Sequence, residues 1–257
     1  MAFIDSHCHL TDERVWKDAE LWIKRAEGAG VSQLRIGGLY PEEWARQSAL
    51  KKRYPKIIST SFGVHPWWVE RFNRNELEAA LKLLEAQINE SHAVGETGLD
   101  FYEKRDQTKF ADQEFAFRAQ IRLAKKYQKA LVLHVVKAHE VARRVIQEEG
   151  AIDQKMQIHS FSGSAEMARE WLKWPGVCLS FSGGFLRENA NRARAALKGV
   201  PLDRLLFETD SPDQAWRADG LNEPSFVVEV YQKAAEVLDM KLSSLQTIVA
   251  ENFARFE

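Results

Sequence analysis

An α/β barrel of eight alternating strands and helices is the fold this sequence predicts, and two observations predict it. Short apolar runs alternate with amphipathic stretches from one end of the 257-residue chain to the other, and metal-ligand side chains recur at the ends of those runs. Eight strands, each followed by a helix, is the count a single (β/α)8 TIM-type barrel requires, and the even spacing favours closure over an open doubly wound sheet. No linker, low-complexity tract or charge block divides the sequence, so one domain over 1–257 is expected.

In chain order, strands are expected over 2–7, 33–38, 57–64, 92–97, 130–136, 155–160, 177–182 and 204–209. Most are nearly continuous in apolar residues, as strands covered on both faces should be. Amphipathic spacing predicts helices over Glu13–Glu27, Pro41–Tyr54, Asn75–Glu90, Asp106–Gln128, Lys137–Glu149, Ser164–Lys173, Arg187–Leu197 and Glu223–Leu238, with a last helix from near Ser243 to the end. Pro41 ahead of Glu42-Glu43 suits a first helical turn, and Ser164 three residues before Met167 suits an N-cap.

Composition narrows the function. A chain with 45% apolar and 28% charged residues can bury a large core. A net charge of −1 gives no overall attraction to nucleic acid or to an anionic membrane, so any polyanion site must be local. Cys8 and Cys178 cannot build a disulfide framework, which fits a reducing compartment, and Cys8 reads as a small core residue. The N-terminus has neither the basic region nor the apolar stretch of a signal peptide, and no run reaches membrane-spanning length. A cytoplasmic protein with no membrane contact is expected, and no obligate protein partner is readable.

The order of the polar residues carries the chemistry. His7 and His9 share one face of the first strand, because side chains repeat every second residue. Glu96 follows the fourth strand, His134 ends the fifth, His159 ends the sixth and Asp210 leaves the eighth. Each has an ordinary alternative: a hydrogen-bonded core histidine for His134 or His159, a helix N-cap for Asp210, a salt bridge for Glu96. Four imidazoles and two carboxylates at the C-terminal ends of successive strands, however, converge on one pocket and suit one or two divalent metals. The nitrogen and carboxylate set accepts zinc, manganese, nickel, iron or magnesium. His65 closes the third strand and is expected at the same mouth, whereas His92 and His139 read as solvated surface residues.

Ile4-Asp5-Ser6-His7-Cys8-His9-Leu10, Gly63-Val64-His65-Pro66, Gly95-Glu96-Thr97-Gly98-Leu99-Asp100, His159-Ser160-Phe161-Ser162-Gly163 and Glu208-Thr209-Asp210-Ser211-Pro212 together resemble the successive signatures of TatD-type metal-dependent deoxyribonucleases. Asn222-Glu223-Pro224 and Asn252-Phe253-x-Arg255-Phe256 match as well. The resemblance spans the chain and implies a barrel of the amidohydrolase superfamily with a one- or two-metal centre that hydrolyses phosphodiesters. It implies His7, His9, Glu96, His134, His159 and Asp210 as ligands, with Glu96 in the bridging slot. In the mechanism expected here, Asp210 also orients a metal-activated water and accepts its proton.

Two departures fall at the substrate rim. The family usually has an arginine two residues after the fifth-strand histidine, where this chain has Val136; Asp213-Gln214 stands where an aromatic and an apolar residue often follow. Lys137 should point to the other side of the strand. If the substrate is nucleic acid, its phosphates would be held by His65, Arg71, Arg105 or Arg187, and its bases would stack on Trp67 or Trp68. Gly183-Gly184 could offer backbone N–H groups to a phosphate. The leading reading is an exonuclease-type deoxyribonuclease that also reaches RNA. Hydrolysis of amide, lactone or aminoacyl-ester bonds is the alternative, and a metal-binding barrel without catalysis the third.

Overall fold

Parallel strands surround one axis in this computed structural model, which describes residues 2–216 and 222–256. They are β1 (Phe3–Cys8), β2 (Val31–Gly37), β3 (Ile58–Phe62), β4 (Ala93–Asp100), β5 (Ala130–Val136), β6 (Met156–Ile158), β7 (Val177–Phe181) and β8 (Leu205–Phe207). Neighbours pair in chain order from β1 to β8, every pair parallel. The outer ring comprises α1 (Ala19–Gly28), α2 (Pro41–Arg53), a short α3 (Pro66–Val69), α4 (Arg74–Gln87), α5 (Phe110–Lys126), α6 (His139–Glu148), α7 (Ala165–Leu172), α8 (Asn191–Lys198), α9 (Val227–Leu238) and α10 (Leu242–Phe256). The expected (β/α)8 barrel is therefore present. No helix of the described residues is long and apolar enough to cross a membrane.

The two edges of the sheet meet through a polar seam that also aims the site. Asp5 accepts hydrogen bonds from the Thr209 amide (2.9 Å) and hydroxyl (2.6 Å). Above it, the Asp210 amide donates to the His7 carbonyl (3.0 Å) and the His9 amide to the Ser211 carbonyl (2.6 Å). Burial pushes the Asp5 carboxyl up to about 8, so it sits in the seam as a largely neutral group.

Apolar side chains fill the layer between strands and helices, with Trp44 stacked on Phe62 at 5.5 Å and Trp171 fully buried. Inside the barrel a polar layer interrupts the apolar pattern. Gln157 of β6 donates to the Ser6 hydroxyl of β1 (3.0 Å) and to Glu208 (3.1 Å), and accepts from the Arg35 guanidinium (2.7 Å). These strands are not neighbours, so the bonds cross the interior. A buried guanidinium is costly unless paired; Arg35 also lies 4.5 Å from both the Phe253 and Phe256 rings of α10, which closes the floor. Asn252 fixes that helix by donating to the Leu202 and Leu205 carbonyls at 2.7 and 2.8 Å.

Several boundaries differ from expectation. The first helix starts at Ala19 rather than Glu13, because Asp12 and Arg14 are drawn into an ion-paired rim and the chain makes a single 3-10 turn at Trp16–Asp18. Strands β6 and β8 end early: Ser160 (φ +44°) and Asp210 (φ +58°) turn the chain in the left-handed region just past them. Helix α8 begins at Asn191 rather than Arg187, after a turn at Gly183–Leu186 and an extended Arg187. Ser164 accepts from the Met167 amide, as expected of an N-cap.

Candidate metal centre

At the C-terminal mouth, the seam sets His7 and His9 side by side, their Nε2 atoms 3.3 Å apart. Opposite, β4 skips register against β5 between Val94 and Thr97, and the residues between them bulge. Gly95 and Gly98 flank Glu96 at φ +157° and +137°, and a side chain on Gly98 would strike the His134 carbonyl. Only glycine lets this turn deliver a buried carboxylate to the barrel axis.

Each oxygen of Glu96 faces a different group of imidazoles. Oε1 is 3.2 Å from His7 Nε2 and 3.1 Å from His9 Nε2. Asp210 Oδ1 lies 3.4 Å from His9 Nε2 and 4.0 Å from His7 Nε2. Donors at about 2.0–2.1 Å from a tetrahedral cation are about 3.3 Å from one another, so His7, His9 and Glu96 are spaced to share one ion, with Asp210 beside the two histidines. Oε2 is 2.7 Å from His159 Nε2 and 3.6 Å from both His134 Nδ1 and His65 Nε2, and the first two nitrogens are 3.1 Å apart. Side chains that could hold an ion thus form overlapping groups: His7, His9 and Glu96; His7, His159 and Asp210; His65, Glu96 and His134. Glu96 Oε1 is buried with no hydrogen-bond partner, an atom waiting for a cation. The donor set fits one or two divalent metals.

The electrostatics agree. Burial pulls Glu96 up, yet the charges of His159, His7 and His9 hold it well below the carboxylate range. For Asp210, burial is outweighed by the His9 hydrogen bond and the charges of His159, His9 and His7, leaving it at about 2. Burial disfavours charge on His9 and His159, but Glu96 and neighbouring carboxylates raise both well above the usual imidazole value. Burial and then His134 push His65 down to about 3.

Outer partners fix the rings. His159 Nδ1 is 3.4 Å from Glu208, which itself accepts from the Ser160 amide at 2.6 Å. His134 Nε2 is 3.3 Å from Asp100 Oδ2, which accepts from the Trp67 indole at 2.5 Å. Gln113 and Gln120 of α5 clamp the backbone at Asp100 and Val64, holding the ends of β4 and the turn that carries His65. Asp100 and Glu208 went unnoticed in the sequence, although both are carboxylates leaving apolar runs, the signal that marked Asp210.

All six expected ligand-type residues come together, and His65 joins them. Above them opens a cavity of about 320 Å³ walled by Trp67, Tyr102, Arg105, Val136, Asp12 and Asp213 among others. Arg105 lies 4.3 Å over the Trp67 ring, but its charge is matched by Asp100 (3.4 Å) and Glu70 (3.8 Å). Arg14 clasps Asp12 and Asp213 at 2.8 and 2.7 Å, tying the β1 and β8 loops. Arg71, Arg187 and Lys137 do not line the cavity: Arg71 lies on Trp68, Arg187 donates to the Ala215 carbonyl, and Lys137 turns away at φ +54°. Gly183 is packed under Trp216, whereas the space beside Gly184 is open. His92 and His139 are half-buried rather than solvated, accepting from the Thr60 amide and the Trp171 indole.

Comparison with known proteins fits this geometry. A Bacillus subtilis relative, the uncharacterized metal-dependent hydrolase YabD, is 34% identical over 255 residues, 98% of this chain and 97% of its own. The 3'-5' ssDNA/RNA exonuclease TatD of Cronobacter turicensis is 33% identical over 260 residues, 98% and 96% of the two chains. The crystal structure of the Escherichia coli TatD homologue YJJV superposes with a TM-score of 0.90 at 26% identity, covering 99% and 97%. An Entamoeba histolytica TatD family hydrolase, at 21% identity and TM-score 0.87, shares the fold. Residues 4–257 match the family described as TatD related DNase. The protein is a metal-dependent hydrolase, and the chain belongs to the TatD family.

Proposed function

We propose that the protein hydrolyses phosphodiester bonds at the end of single-stranded DNA, with RNA as a second polymer, and that His7, His9, Glu96, His134, His159 and Asp210 hold one or two divalent cations. The observation that carries the reading is Glu96, whose two oxygens face separate ligand groups beneath an aromatic-walled cavity. When bound, the cations would supply Lewis acidity toward a phosphoryl oxygen and lower the pKa of a water. Asp210, ionised at neutral pH and beside His9, is assigned as ligand and proton acceptor. Trp67, 37% exposed, gives a terminal base a face to stack on, a contribution of about 1–3 kcal/mol. The name of the Cronobacter relative supports this substrate class. Both cysteines are free and buried, in keeping with a reducing cytoplasmic setting.

A second reading, hydrolysis of amide, lactone or aminoacyl-ester bonds, is favoured by one feature. Val136 offers no donor in the cavity wall, and the lining cation Arg105 is already matched by carboxylates. Asp210→Asn tests the first reading: it should keep the fold and lose nearly all turnover of single-stranded DNA. A variant that retains the parent rate with metal present removes Asp210 from the chemistry.

A further inference from the structure

Arg71 lies just outside the cavity in an arrangement that the metal centre does not explain. Its guanidinium sits 4.0 Å from the Trp68 ring centroid, and the Tyr40 ring sits 3.7 Å from the same centroid. Trp68 thus touches both groups, the Tyr40 ring tilted 37° to it and the guanidinium carbon over its ring. Tyr40 and Trp68 each adjoin a cavity-lining residue, Leu39 and Trp67, which puts the stack on the rim beside the mouth. Trp68 and Tyr40 are half-buried while Arg71 is exposed, so two rigid aromatics hold a cation toward solvent. Stacking occupies the flat face of a guanidinium and leaves its N–H edge free to meet a phosphate bidentately.

Its charge distinguishes it from the other rim arginines. Arg14 is tied to Asp12 and Asp213, and Arg105 to Asp100 and Glu70. Arg71 has no carboxylate partner among the described residues, and its guanidinium lies over the Trp68 ring.

We infer that the Tyr40–Trp68–Arg71 stack is a preorganised phosphate anchor for single-stranded nucleic acid outside the cleavage pocket. This rests on the nuclease reading and deepens it: a terminal base stacks on Trp67 and the backbone of the trailing strand crosses the rim onto Arg71. Trp68, backed by Tyr40, acts as the positioning residue for the guanidinium. The anchor serves strands long enough to leave the pocket and does little for a dinucleotide.

The test uses the full chain with metal restored, and a fluorescent oligothymidylate long enough to cross the rim. Binding is read by anisotropy over a salt series in an Asp210→Asn background, and kcat/KM is measured separately on the long strand and on a thymidine dinucleotide with Asp210 intact. Arg71→Ala should weaken long-strand binding about five- to tenfold and make the logarithmic salt slope shallower by about 0.7, the value of one single-strand phosphate contact. The long-strand to dinucleotide ratio of kcat/KM should fall by the same factor. Arg71→Lys should recover only part, since an ammonium cannot reproduce the stacked fork, and Trp68→Leu should resemble Arg71→Ala. Unchanged long-strand affinity and salt slope in Arg71→Ala, with both phosphodiesters cleaved by the parent, overturns the anchor alone. Failure of the parent to cleave either substrate overturns the nuclease reading on which the anchor rests.

Discussion

Asp100→Asn should loosen metal binding without unfolding the barrel, and the structure sets the size of the effect. Asp100 Oδ2 meets His134 Nε2 at 3.3 Å and the Trp67 indole at 2.5 Å, while Oδ1 accepts from the Tyr102 amide at 3.0 Å. Burial pulls this carboxyl up, but His134, Trp67 and Tyr102 together hold it well below the ordinary range. It is therefore charged at neutral pH, accepts a hydrogen bond from His134 Nε2–H, and leaves Nδ1 facing Glu96 as the ligand atom. Asparagine has the same shape but only one acceptor oxygen, and its NH2 group must then face the Tyr102 amide or the two ring donors. A hydrogen bond to a charged group contributes about 1.5–3 kcal/mol, which is about 10- to 150-fold at about 1.4 kcal/mol per decade. Losing an outer partner of a ligating histidine typically costs about 10- to 100-fold in metal affinity, and the two ranges agree. Competition with a chromogenic chelator should thus show metal binding weakened about 10- to 100-fold, with far-ultraviolet circular dichroism unchanged and most activity restored at saturating metal. Unaltered affinity would mean either that His134 holds no metal or that Asp100 does not orient it.

Chelation should abolish hydrolysis and leave the far-ultraviolet signal largely intact, because a core this large does not depend on an ion; collapse of that signal would make the metals structural. Metal affinity should rise with pH. In the metal-free protein Glu96 and its neighbours raise His9 and His159 above the usual imidazole value, so their protonated forms stabilise the fold below about 6.5 and lose that contribution as pH rises through the raised values. A cation must displace those protons, so calorimetry at neutral pH in buffers of different ionisation enthalpy should register proton release on metal uptake; none released would contradict the assignment. Val136→Arg, which adds a bidentate donor to the cavity wall, should increase DNA cleavage once elemental analysis confirms equal metal occupancy.

The barrel and the ligand-type residues were legible because each rests on a local signal. A buried parallel strand is a continuous apolar run, and a polar residue at its C-terminal end is conspicuous whatever the rest of the chain does. Arg35 and Gln157 were not legible as partners, since their bond crosses the barrel between strands far apart in sequence. The same holds for His139, whose Trp171 partner lies on another helix, and for the Arg14 clasp, which shifts the start of α1 by joining loops at opposite ends of the chain. Four candidates were named as alternative phosphate contacts, yet sequence spacing alone could not separate His65 and Arg105, which line the cavity, from Arg71 and Arg187, which do not. For His65, Arg71 and Arg105 that sorting depends on where the loops after β3 and β4 turn, beside the backbone that Gln120 and Gln113 bind, and for Arg187 on the loop after β7.

The most direct measurement is a substrate panel on one purified, metal-reconstituted preparation: single-stranded DNA, RNA, an aminoacyl ester, a lactone and an amide, each with parent and Asp210→Asn. Phosphodiester cleavage from a strand end, lost in Asp210→Asn and absent without metal, is the predicted result. Faster turnover of an ester, lactone or amide, with the nucleic acids left intact at full metal occupancy, would contradict it and assign the same metal centre to carbonyl chemistry.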